Sequence, residues 1–243
     1  MTTYDDLPAS ERVIVALDCS RDRAYELANL LEGKATWLKV GMTLFYAEGP
    51  SIVTAFKERG FKIFVDLKLH DIPHQVEGAA RYITALGADM LTVHAIGGVP
   101  MMEAAVRGIT RGIGERNDDT RPLLLAVTVL TSMNESMLAQ TGVHRSLNQQ
   151  VEALAYQARE SGLDGVVASP QEAALLRSVL GPNVAIVTPG VRLVGSSQDD
   201  QSRVTTPSIA CAQGSSHVVV GRPIVQADDP VAAFASFIHD IEQ

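Results

Sequence analysis

Short apolar runs recur along the chain, and each closes on small or polar residues. They read RVIVALD (12–18), ATWLKVG (35–41), FKIFVDLK (61–68), DMLTVHA (89–95), LLLAVTVL (123–130), DGVVAS (164–169), VAIVTPG (184–190) and HVVVGR (217–222). They are rich in Val, Ile and Leu and lack a clean period of two, the pattern of strands buried on both faces in a parallel sheet. Between them the spacing turns helical. Residues 20–32 open on Ser20 as an N-cap and put Ala24, Leu27, Leu30 and Leu31 on one face. Residues 147–160 do the same with Val151, Leu154, Ala155 and Ala158, and Gly162 stops them. Segments 76–86 and 171–180 end at Gly87 and at Gly181-Pro182.

Eight strand–helix units with short links predict an α/β fold, a closed (β/α)8 TIM barrel occupying residues 1–243 as one domain. An open, doubly wound sheet is the alternative. The chain has no low-complexity stretch or linker that would divide it. The longest irregular piece, RLVGSSQDDQSR (192–203), follows the seventh strand. A loop of that length in a compact domain is usually functional or disordered, and its place favours function.

Composition narrows the picture only a little. The 243 residues are 46% hydrophobic and 20% charged, ordinary for a soluble globular protein. A formal net charge of −8 argues against a broad nucleic-acid surface but leaves room for a local anion site. Cys19 and Cys211 stand far apart with no metal-like spacing and read as reduced thiols of a cytosolic protein. The N-terminus, MTTYDDLPASERV, is unlike a signal peptide, and no apolar run approaches the ~20 residues needed to span a membrane. A cytoplasmic protein without membrane or nucleic-acid partners is expected.

Active sites of such barrels form at the C-terminal ends of the strands. Those ends carry Asp18, Lys39, Asp66 with Lys68 and Asp71, His94, Thr131-Ser132, Thr188-Pro189-Gly190 with Arg192, and Gly221-Arg222. Asp18, Lys39, Asp66, Lys68 and Asp71 bring five charges of alternating sign to one mouth, where carboxylates hold each lysine in place. A single Asp–Lys pair there would be a rim salt bridge; five charges on three adjacent strand ends point to chemistry. Gly221-Arg222, opposite Arg192 and the long loop, suits a phosphate, because terminal barrel strands often bind one and arginine adds bidentate contacts. Gly-Arg by itself would be an ordinary turn.

Other features carry less. His70 and His74 are four apart, but Pro73 separates them and no third ligand is evident, so no metal is expected. His94 reads either as catalytic or as a hydrogen-bonded core histidine. Trp37 and Met101-Met102 read as packing. The chain has no GxGxxG and no Gly-Lys-Ser/Thr phosphate loop.

The stretch FVDLKLHDIP (64–73) resembles the central motif of the orotidine 5′-phosphate decarboxylase family, whose members make UMP from OMP. The resemblance extends in order through VALD (15–18), LKVG (38–41), VLTSM (129–133), TPGVR (188–192), DDQSRVTTP (199–207) and VVVGRPI (218–224), nearly the whole chain. It implies a cofactor-free carboxy-lyase of pyrimidine synthesis in which Lys68 gives a proton to C6 of the pyrimidine. Asp66 would stand beside the departing carboxylate, with Lys39 and Asp71 completing the array. It further implies a homodimer in which Asp71 reaches into the partner's site. Asp18 and Lys39 would hold ribose hydroxyls, and Thr131 or Ser132 would contact the pyrimidine. Gln201 would bridge base and phosphate, and Gly221, Arg222 and Arg192 would take the phosphate.

One departure is visible. The family usually reads Asp-Ile-Pro-Asn-Thr, with the threonine contacting substrate across the dimer; this chain reads Asp71-Ile72-Pro73-His74-Gln75. The Gln75 amide still donates and accepts, so a retained contact or a modest loss of affinity is expected. The related hexulose-phosphate synthases share Asp-x-Lys-x-x-Asp but use Mg2+ held by an acidic residue on the second strand, where this chain has Lys39. A Schiff-base aldolase would need a lysine of depressed pKa, the opposite of one held between carboxylates. A barrel that binds the nucleotide without turning it over is the non-enzymatic alternative.

Overall fold

Each of the eight apolar runs forms a strand. They are β1 Val13–Ala16, β2 Trp37–Gly41, β3 Lys62–Leu69, β4 Met90–His94, β5 Leu123–Val127, β6 Gly165–Val167, β7 Ala185–Pro189 and β8 His217–Val220. The computed structural model describes residues 4–116, 120–194 and 205–243. Every strand pairs in parallel with the next, and β8 closes on β1 through Val13 opposite Val218 and Val15 opposite Val220. Closure decides against the open sheet and makes the fold a TIM barrel.

The missing alternation now has a cause. Along β1, Ile14 and Ala16 point into the barrel while Val13 and Val15 meet the surrounding helices, and all four are buried. Both faces are apolar, so hydropathy cannot alternate even though the side chains do. Trp37, Phe64, Met90, Leu125, Ala185, Val187 and Val219 fill the interior. At the N-terminal end His217 is wholly buried between Tyr4 and Trp37, with ring centroids 5.7 and 5.9 Å away. Burial foremost, then the charges of Arg12 and Lys62, push this imidazole down to about 3, so it stays neutral.

The helices follow the sequence with local differences. Ser20 caps Arg21–Leu31 by accepting from the Arg23 N–H. Ala28, not Leu30, completes its buried face, and Leu30 is exposed. Leu147–Glu160 matches its expected span, and Ser146 and Gln149 add a reciprocal capping box at its start. The helix expected over 76–86 begins earlier, at Pro73 in its first turn, and runs to Ala85. Residues 170–172 form a 3-10 turn before the helix Ala173–Leu180. The run at 123–130 yields strand only to Val127, which leaves Thr128–Leu130 in the loop above it. Among the described residues no helix is long and apolar enough to cross a membrane.

Candidate active site

The C-terminal mouth of the barrel is built from charged residues on strands whose lower halves are apolar. Lys39 lies within β2, opposite Ala16 of β1, and is only 7% exposed. Its Nζ is 2.9 Å from Asp18 Oδ1 and 3.5 Å from Asp66 Oδ2. The approach depends on Gly41, since a Cβ there would stand 2.8 Å from Asp18 Oδ1 and 3.0 Å from Lys39 Nζ. Asp66 Oδ2 also receives Lys68 Nζ at 2.9 Å. The result is a chain of alternating charge, Asp18–Lys39–Asp66–Lys68, across three strands.

The end of β3 is irregular. Val65 stands opposite Leu91 and Leu69 opposite Val93, so residues 66–68 face Thr92 alone. Lys68 sits at φ 52°, the one described non-glycine residue with a positive φ. For a side-chain-bearing residue this conformation costs about 1–2 kcal/mol. It is held by a hydrogen bond from the Lys68 backbone N–H to Thr92 Oγ1 at 2.9 Å. The same hydroxyl donates to Asp66 Oδ1 at 2.9 Å. Burial pushes the Asp66 carboxyl up, but Lys39, Lys68 and the hydrogen bonds from Lys68 and Thr92 outweigh it and hold it below the usual range. Nothing in the run DMLTVHA marked Thr92 as part of this arrangement; its role depends on a register offset that exists only between paired strands.

His94 is half-buried above Thr92. Its Nδ1 is buried with no hydrogen-bond partner among the described residues, and its ring is tilted by 30° against that of His70 with centroids 5.6 Å apart. Burial, then His70, then Lys68 lower its pKa. His70 precedes the helix Pro73–Ala85, so His70 and His74 do not share a helical face. Among the described residues no group of three or more His, Cys, Asp or Glu is arranged to hold a metal ion.

A cavity of about 420 Å³ opens over the charged chain. Of the residues singled out in the sequence, Asp18, Lys39, Asp66, Lys68, Thr131, Arg192, Gly221 and Arg222 line it. Thr131 is part of the wall, and Ser132 is not. Phe64, Val167 and Val219 form an apolar floor. Arg222 opens the short helix Arg222–Val225, with Gly221 as its cap residue. Four cations therefore meet two carboxylates in a chain whose overall charge is −8.

Asp71 and Gln75 are exposed and lie outside this cavity. Asp71 Oδ1 instead accepts from the Ile72 N–H at 2.6 Å, at the start of the helix that carries Gln75. Gln201 falls outside the described residues.

The family profile described as "Orotidine 5'-phosphate decarboxylase / HUMPS family" matches residues 11–237. The chain belongs to this family. A protein of Moorella thermoacetica named orotidine 5'-phosphate decarboxylase is 47% identical over 236 residues, covering 96% of this chain and 93% of that one. A protein of Cutibacterium acnes with the same name is 49% identical over 231 residues, covering 94% and 95%. The crystal structure of orotidine 5'-phosphate decarboxylase from Lactobacillus acidophilus superposes with a TM-score of 0.86 at 37% identity, covering 96% of this chain and 100% of that one. Within the decarboxylase family, the resemblance carried by FVDLKLHDIP thus extends over nearly the whole barrel.

Proposed function

We propose that this chain, acting as a single barrel domain over residues 1–243, converts orotidine 5′-monophosphate to UMP and CO2 in de novo pyrimidine synthesis without a cofactor. The observation that carries the reading is the chain Asp18–Lys39–Asp66–Lys68 beneath an electropositive cavity. Proteins named for this activity, nearly half identical over almost the full length, support the same reading.

The chemistry asks for such an array. When the C6–carboxylate bond breaks, its electron pair stays on C6, where no carbonyl delocalises it directly. An ammonium already fixed at that place stabilises the charge without reorganisation, and then protonates it. Lys68 takes this role; its proton goes to C6, and its amine regains one from solvent. Asp66 stands beside the substrate carboxylate, and its negative charge favours departure of CO2. Lys39 and Asp18 hold ribose hydroxyls, Thr131 contacts the pyrimidine, and Arg192, Arg222 and the Gly221 backbone take the phosphate. Gln201 bridges base and phosphate.

Asp71 and Gln75 serve the site of a second copy in a homodimer. Their exposure and their place outside the lining of the monomer's own cavity fit that assignment, and so does the exposure of Ile72 beside Asp71. The enzyme acts in the cytoplasm.

The test is ultraviolet absorbance of purified protein with orotidine 5′-monophosphate in EDTA. Wild type should consume the orotate band, and Lys68→Ala should be slower by at least about 10⁴-fold. A flat trace from folded wild type would refute the reading and turn attention to the Mg2+-dependent sugar-phosphate reactions, whereas consumption only when Mg2+ is restored would overturn its cofactor-free part.

A further inference from the structure

We infer that Thr92 is a positioning residue of the catalytic array, its hydroxyl tying the Lys68 backbone to the Asp66 carboxylate and so setting where the ammonium stands. The inference rests on the decarboxylase reading and concerns a side chain that forms no wall of the cavity.

Thr92 is fully buried on β4, and residues 66–68 face it alone. A ladder cannot serve three successive residues from one partner, so backbone pairing lapses here. Thr92 Oγ1 fills the gap. It accepts from the Lys68 N–H and donates to Asp66 Oδ1, each at 2.9 Å. A hydroxyl has one proton and two lone pairs, so one orientation satisfies both contacts. Valine has the same shape and can satisfy neither.

Two consequences follow for the array. Lys68 holds φ 52°, and such a conformation persists only where its surroundings over-determine it. Loss of the bond to its N–H frees the backbone that aims the side chain. Asp66, meanwhile, offers Oδ2 to both lysines, at 2.9 Å for Lys68 and 3.5 Å for Lys39. The Thr92 bond to Oδ1 fixes the rotation of that carboxylate. The groups facing Asp66 are Lys39 from β2, Lys68 from β3 and Thr92 from β4. Asp18 lies behind Lys39, and His94 is the next inward position on β4.

The experiment compares turnover of orotidine 5′-monophosphate by wild type, Thr92→Val and Thr92→Ser across the acid limb of the pH profile, with thermal melts of each. Thr92→Val should lower kcat by about 10–100-fold, the scale of a small misplacement of reacting groups. Its KM should stay within about threefold, since the loss lies in the chemical step. The acid limb should move to higher pH, because a carboxylate that loses a donor to its charged form becomes easier to protonate. Thr92→Ser keeps the hydroxyl and should restore both kcat and the acid limb.

A merely structural threonine would lower both melting temperatures while the folded protein turned over as wild type. Wild-type kcat and acid limb in Thr92→Val overturn the inference, as does a Thr92→Ser variant as slow as Thr92→Val. Should Thr92→Val fold too poorly to assay, Thr92→Cys, a weak donor of similar volume, is read by the same criteria. An inactive wild type sinks the decarboxylase reading and this one with it. An active wild type beside an unaffected Thr92→Val sinks this one alone.

Discussion

Lys39 is almost fully enclosed, yet it makes no ladder contact with its side chain; its ammonium is spent on Asp18 and Asp66. A buried charge persists when partners compensate its desolvation, and removing one partner leaves the others exposed to the full penalty. Arg222 differs, because it is exposed on the wall of the cavity. In the proposed reaction it takes the substrate phosphate, and binding energy gained far from C6 lowers the barrier only if it is realised in the transition state. Arg222→Ala should therefore reduce kcat/KM by about 10²–10³-fold with kcat falling as well as KM rising. Steady-state kinetics with kcat unchanged would show that the phosphate is used for affinity alone.

Among the elements, the helices Pro73–Ala85 and Val99–Ile113 pack most closely. Gly108 and Gly112, one turn apart on the second helix, lie against the first. A Cβ at Gly108 would collide with the Glu77 carbonyl and touch Ala80, and one at Gly112 would meet Arg81 and Thr84. The backbones approach because neither glycine has a side chain. Gly108→Ala should cost about 1–3 kcal/mol through overpacking, despite alanine's better helix propensity. Thermal melts should show a drop of several degrees, at about 2–4 °C per kcal/mol for a chain of this size. An unchanged or raised melting temperature would mean that the helices part without cost. The helix Pro73–Ala85 also carries Gln75 and follows Asp71, so its seating bears on the proposed shared site.

At the scale of the whole molecule, two predictions separate the ends of the barrel. At the mouth, Asp71→Ala and Lys68→Ala proteins, each inactive, should regain about a quarter of wild-type activity when subunits assort randomly into dimers, since half the dimers then hold one intact site. Verified exchange without recovery would place Asp71 in its own protomer's chemistry. At the floor, His217 is held neutral down to about pH 3, whereas in the unfolded chain it takes a proton near pH 6.5. Its folded pKa is the lower one. The stability associated with the neutral ring is thus fully present above about pH 6.5 and declines as pH falls toward the folded value, at up to about 1.4 kcal/mol per pH unit. Urea unfolding of wild type and His217→Gln should therefore give a stability difference that shrinks between pH 6.5 and pH 4. A difference independent of pH would show that the ring charges in the folded protein.

The sequence alone determined eight buried strands and the charged groups at their ends, while the pairing of β8 with β1 decided for a barrel over an open sheet. Eight doubly buried strands announce themselves by unbroken Val, Ile and Leu, because a strand covered on both faces has no polar side to interrupt it. Charge at the ends of such strands is costly without function, which made Asp18, Lys39, Asp66, Lys68 and Arg222 legible before any coordinates. Leu30 was misread because helical spacing alone does not say which flank of an apolar stripe meets the barrel. Thr92 was illegible for a deeper reason. Its importance comes from an offset between β3 and β4 that sets three residues against one, and register is a property of paired strands, absent from either strand's own sequence. Tertiary structure likewise decided that Asp71 and Gln75 turn away from the cavity that Asp66 and Lys68 enter. Lys68 adopts a positive φ within that stretch, a conformation that no periodicity in DLKLHDIP records.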